Sequence, residues 1–200
     1  WRLLSFSTRA RRRLAPKAEQ RSGSLSQSET LQVLALIEHA SRRIRVLGAT
    51  VHPTAAWVKQ AAKNVVMDLE DAGCRARFLI RDRDGTYTAL FDEILNDAGI
   101  LVVFSGVRIP RMNAVTERWV QTCRRELLDR MLIWNRRHLL YAVREFERFY
   151  NSRRPHQGIA NARPLQPLPE PITDPARILH LDVRLSDRLG GIIHEDPHAA

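Results

Sequence analysis

Phe78-Leu79-Ile80-Arg81-Asp82-Arg83-Asp84-Gly85-Thr86-Tyr87-Thr88 is an apolar run that ends in an acidic, glycine-containing turn. Such a run, bounded by such a turn, reads as a short buried strand. Further on, Asn113-Ala114-Val115-Thr116-Glu117 opens an amphipathic stretch carrying one carboxylate. Between Asp82 and Glu117 lie 34 residues, room for a turn, a short helix, a second strand and a mobile loop. A carboxylate just past a strand and another on a distant helix meet only if sheet and helix pack together. Two converging carboxylates suit Mg²⁺, a hard cation held by carboxylates, waters and substrate phosphates.

Working outward, Leu31–Glu38 and Ile44–Thr50 read as an antiparallel hairpin. Ile44 and Val46 alternate with Arg43 and Arg45, which predicts one solvated face on the second strand. Pro53 precedes a helix over 54–72, with Trp57, Ala61, Val65 and Leu69 at helical spacing and Gly73 as its stop. Arg77–Arg81 is the next strand. Leu90, Phe91, Ile94 and Leu95 stripe a short helix ending near Gly99, and Ile100–Phe104 predicts a short buried strand. Ser105–Met112 is a candidate flap. The helix starting at Asn113 places Trp119, Val120, Cys123, Leu127 and Met131 toward the sheet and aligns Asn113, Glu117, Gln121 and Arg124 in one row. A second helix over 136–151 has Leu139, Leu140, Val143, Phe146 and Tyr150 on its apolar side, followed by the basic turn Ser152–His156.

The ends differ from this middle. Residues 1–30 are rich in Arg and Ser and read as a disordered basic leader, with Leu3-Leu4-Ser5-Phe6 at most a scrap of strand. Residues 161–200 read as a proline-rich linker, a short alternating strand at Leu179–Leu185 and a mobile tail. The α/β core is thus expected over 31–160.

The formal net charge is +10, and 29 of the 32 basic residues are arginine. Arginine makes bidentate phosphate contacts, so a polyanion such as nucleic acid is the favoured partner. Cys74 and Cys123 form neither a disulfide framework nor a zinc pattern, which suits a reducing cytoplasm. No apolar run reaches the roughly 20 residues of a membrane span, so a cytosolic protein is expected.

Asp82-Arg83-Asp84-Gly85-Thr86-Tyr87-Thr88, the 34-residue gap and Asn113-Ala114-x-x-Glu117 resemble the catalytic core of DDE transposases and retroviral-type integrases. Tyr150-Asn151-x-x-Arg154-Pro155-His156 resembles a signature that follows this core in many bacterial insertion-sequence transposases. The resemblance covers about residues 31–165. It implies an RNase H-like fold, a mixed sheet flanked by helices. It implies phosphoryl transfer at DNA, with transposon ends and target DNA as partners, a homo-oligomer when active, and a bacterial, nucleoid-associated location. Asp82 and Glu117 would be catalytic and metal-binding, with Asn113 and Asp84 in support. Arg111, Arg124, Arg153, Arg154 and His156 are the expected phosphate contacts. The cofactor would be Mg²⁺ or Mn²⁺, as an ion pair about 3.5–4 Å apart if a third carboxylate is supplied.

That third carboxylate, due on the first strand, is the departure. No aspartate occurs from Trp1 to Met67, and the only acids before the end of the Leu31–Glu38 strand are Glu19, Glu29 and Glu38. The first strand is therefore expected to be missing or degenerate, as a truncated or frame-shifted start before Leu31 would produce. Two main readings stay open: an active transposase-type enzyme, and a catalytically dead DNA-binding remnant of one. A nuclease acting on RNA–DNA hybrids is a third.

Overall fold

The computed structural model describes residues 1–11, 28–85, 87–105, 110–167 and 186–195. Its centre is a five-stranded sheet of β1 (Arg2–Arg11), β2 (Ser28–Ile37), β3 (Ile44–Thr50), β4 (Phe78–Arg81) and β5 (Leu101–Phe104), in the order β3-β2-β1-β4-β5. β2 is antiparallel to both β1 and β3, whereas β4 is parallel to both β1 and β5. Among the described residues four α-helices flank it: α1 (Ala55–Asp71), α2 (Ala89–Asp97), α3 (Pro110–Glu126) and α4 (Arg136–Ser152).

The uninterrupted apolar run of β2 exists because both faces of that strand are covered. Leu31, Val33, Ala35 and Ile37 enter one core with Trp119 and Cys123 of α3 and Leu139, Val143 and Phe146 of α4. Leu34 and Leu36 enter a second core with Val58, Val65 and Leu69 of α1, Leu79 of β4 and Phe91 and Leu95 of α2. Thr54 caps α1, its Oγ1 accepting from the Trp57 N–H at 3.3 Å, and Asn135 caps α4, its Oδ1 accepting from the His138 N–H at 2.9 Å. Gly73 takes φ 61 as α1 exits, as expected of a helix stop.

Five expectations are corrected. The first strand is present and central: β1 spans ten residues and pairs with β2 along its whole length, so it is degenerate only in chemistry, with no acid among Arg2–Arg11. Part of the expected leader is thereby ordered, while residues 12–27, Glu19 included, lie outside the described residues. β5 is an exposed edge rather than a buried strand, with Leu101 57% and Phe104 45% exposed, because α3 packs over the β1–β3 side of the sheet. Arg45 of β3 is half-buried instead of solvated, its guanidinium lying over Trp1 and donating to the Asp68 carbonyl of α1 at 3.3 Å. Helix α3 starts at Pro110, a residue suited to a first helical turn, which removes Pro110–Met112 from the expected flap.

The expected tail also holds structure. β6 (Ser186–Arg188) and β7 (Ile193–Glu195) form an antiparallel hairpin that buries Ile193 in the core beneath α4. The strand expected at 179–185 lies outside the described residues. His194 pairs with Asp187 at 2.7 Å within the hairpin.

Candidate nucleic-acid site at the acidic end of the sheet

Asp82 follows the last residue of β4 and is exposed. Its backbone is fixed by Arg81, which is 5% exposed. The Arg81 Nε donates to Asp92 Oδ1 at 2.9 Å, Nη2 donates to Asp92 Oδ2 at 2.6 Å, and Nη1 donates to the Asp82 carbonyl at 2.9 Å. The same guanidinium lies over the rings of Phe104, at 4.5 Å, and Tyr87, at 5.3 Å. One buried cation thus ties the end of β4 to the first turn of α2. Asp84 is exposed in the turn, its carbonyl accepting from the Tyr87 N–H at 3.2 Å.

Glu117 lies two turns into α3 and is exposed, as are Gln121 and Arg124 further along its row. Asn113 and Arg111 lie in the first turns of the same helix.

The register of β1 brings a further residue to this end. Arg2 pairs with Ile80 of β4 on one side and Ile37 of β2 on the other. Residues opposite one another on paired strands share a face. Ile37 is buried in the core that α3 covers, so Arg2 points to the α3 side of the sheet. It is 3% exposed. Burial pulls its guanidinium below the ordinary arginine range, and Asp82 and then Glu117 push it back up. Sequence reasoning missed Arg2 because its strand was read as leader; its lone basic residue before an apolar pair was the available signal.

Neither remaining acid fills the empty role. Glu29 pairs with Ala10, eight strand positions beyond Arg2, which is about 26 Å along the sheet. Glu38 closes the β2–β3 turn, accepting from the Ser41 hydroxyl at 2.7 Å. Among the described residues no group of three or more His, Cys, Asp or Glu is placed to hold a metal. Among the described residues the two carboxylates therefore lack the third oxygen donor that a two-ion centre would need.

The basic turn after α4 has structural duties. The Asn151 side chain bonds both backbone groups of Ile44 in β3. Arg154 binds Glu126 at the end of α3 through both Nη atoms, Nη2 donating to Oε1 at 2.9 Å. His156 packs against the Tyr150 ring at 4.5 Å and is half-buried. Burial holds its imidazole below the ordinary histidine range; a backbone hydrogen bond at Tyr150 opposes this, and Arg154 and Arg42 reinforce it. Arg154 thus ties this turn to α3, His156 packs it on α4, and of the basic residues in the turn Arg153 is the exposed one. An open groove of about 560 Å³ along α4, lined by Arg137, Leu140, Tyr141, Arg144, Glu147 and Arg148, was not singled out in the sequence.

Residues 98–164 match the family model described as the integrase core domain. No curated protein matches the chain significantly. Among solved structures, a chain of the simian T-cell lymphotropic virus intasome in complex with PP2A regulatory subunit B56 gamma is similar over 98% of this chain, at 11% identity and a TM-score of 0.51. This chain spans 65% of the length of that neighbour. The catalytic core domain of BIV integrase is 16% identical over 68% of this chain and 82% of its own, with a TM-score of 0.49. The mixed sheet and its flanking helices are RNase H-like, as expected.

Proposed function

We propose, on the premise that residues 98–164 match the integrase core by sequence and the sheet is RNase H-like by topology, that this chain is an integrase-type core that binds DNA without cutting it. The observation that carries this reading is that β1, the first strand, on which the resemblance calls for a carboxylate, holds no acid from Arg2 to Arg11. A net charge of +10 supports a DNA partner. Arg124 and Arg153 are exposed on the α3 and α4 sides, and Arg137, Arg144 and Arg148 line the groove on α4 with Tyr141 between them. Arginines spaced along one helix face suit the repeating charges of a phosphate backbone. The intasome neighbour favours assembly of several copies on DNA.

Fluorescence anisotropy with a labelled duplex, titrated in chelator at rising salt, tests this reading. Binding should weaken linearly on a log–log plot, by about 0.9 for each phosphate neutralised. Absence of binding at low salt would refute it.

A second reading, strand transfer at transposon-end DNA, is favoured by one observation: Asp82 and Glu117 are both exposed and keep the 34-residue spacing of the resemblance. It calls for a third acid from outside the described residues, such as Glu19, and predicts cleavage lost in both Asp82→Ala and Glu117→Ala.

A further inference from the structure

We infer that the groove on α4 is a nucleic-acid site of its own, which takes an unpaired stretch of DNA strand: Arg137 and Arg144 hold its phosphates and Tyr141 stacks on one of its bases. This inference rests on the reading of the chain as a DNA-binding core and names the form of DNA that one surface takes.

The groove lies apart from the acidic end of the sheet. Asn151 ties α4 to Ile44 of β3, and β3 is one edge of the sheet. β4, which Asp82 follows, is three strands away, roughly 14 Å. Leu139, Val143 and Phe146 turn one face of α4 into the core. Arg137, Tyr141, Arg144 and Arg148 recur at steps of four, three and four, so they share another face, and they line the groove. All four are exposed, Tyr141 at 57%.

Along the helix axis Arg137 lies about 6 Å before Tyr141 and Arg144 about 4.5 Å after it. An aromatic ring between two cations matches a strand, in which each base has a phosphate on either side. A ring stacks only on a base whose face is free, which paired bases inside a duplex do not offer. Leu140 gives the groove an apolar wall beside the ring, which suits a base. The other lining residues leave the charge positive. Glu147 accepts from the Val46 N–H of β3, and Arg144, Arg45 and Arg43 all act on it. Arg148 binds Glu145, which also takes Arg188 of β6, and is thus the weaker phosphate contact. A two-fold contact with a second copy of this chain would set arginine against arginine, whereas a strand neutralises them.

Fluorescence anisotropy in EDTA with two labelled DNAs tests this: a blunt hairpin duplex, and the same duplex carrying a single-stranded oligothymidine extension. The wild-type chain should bind the extended DNA at least about fivefold more tightly. Tyr141→Ala should remove that preference with the melting temperature unchanged, because the ring is exposed, and Tyr141→Phe, which keeps the ring, should retain it. Replacing Arg137 and Arg144 by Ala together should weaken binding to the extended DNA and lower its log–log salt slope by about 0.7 per arginine. A preference that survives Tyr141→Ala would overturn the inference. So would a Tyr141→Ala chain that sediments as a smaller species than wild type with its preference intact, since a second copy would then cover the groove. Equal wild-type affinity for the two DNAs would refute this inference alone; a wild-type chain that binds neither would refute the proposed function with it.

Discussion

Asn151, at the end of α4, closes two hydrogen bonds on Ile44, the first residue of β3: its Oδ1 accepts from the Ile44 N–H at 2.9 Å and its Nδ2 donates to the Ile44 carbonyl at 2.8 Å. Both groups are buried, so truncation strands a donor and an acceptor. Asn151→Ala should cost about 2–4 kcal/mol of unfolding free energy, read as a lower urea midpoint at an unchanged slope. Asn151→Asp keeps the shape and loses the donor, and should be at least as destabilising. A cost under about 0.5 kcal/mol, the size of an ordinary surface change, would show that this contact does not hold α4 to the sheet.

Arg81 and Asp92 form a bidentate pair with side-chain exposures of 6% and 19%. Removing one partner of such a pair leaves a poorly solvated charge. Asp92→Ala should destabilise by about 3 kcal/mol and loosen the turn that carries Asp82. Amide hydrogen exchange should show faster exchange over 82–88 in Asp92→Ala than in wild type; unchanged exchange would count against the anchoring role of Arg81.

Glu147 gives a pH dependence. Burial pushes its carboxyl up to about 7, against opposing effects from the Val46 backbone N–H and from Arg144, Arg45 and Arg43. The folded pKa lies above the unfolded one, so the native state binds more protons between about pH 4.5 and 7. Its contribution to stability is full below pH 4.5 and is lost as pH rises to 7, on the order of 2 kcal/mol. Glu147→Gln should flatten that part of the profile when melting temperature is followed against pH. An equal slope in both proteins would contradict the assignment.

The thiols report the packing of α3. Cys123 is fully buried in the core under that helix, and burial pushes its thiol up to about 12, while Cys74 is half-buried after α1. A thiol reagent should label Cys74 in the native protein and reach Cys123 only on unfolding. Rapid native labelling of Cys123 would mean that α3 does not pack as described.

The sequence carried the parts of the fold whose signals are local. The period of four in α1, the apolar stripe of α2 and the β2–β3 hairpin lie where expected. β1 was hidden because its polar and basic residues lack the apolar run that marks a central strand, and its pairing with β2 is a long-range fact. β5 misled in the other direction: Ile100–Phe104 is apolar enough to be covered on both faces, yet it forms the sheet edge. At the site, the spacing of Asp82 and Glu117 was legible, but the burial of Arg2 between β2 and β4 was not, since it follows from long-range strand register. That Arg154 would meet Glu126 and His156 the Tyr150 ring was not legible in the basic turn itself, because both partners are set by the packing of α3 and α4.

The central claim is that this core holds DNA without cutting it. The most direct measurement incubates the chain with labelled duplex DNA in Mn²⁺ and in EDTA, and resolves both the bound fraction and the strand lengths. The expected result is salt-sensitive binding, equal in both buffers, with strands of unchanged length. Nicked or joined strands that appear only with Mn²⁺, and vanish in both Asp82→Ala and Glu117→Ala, would contradict it.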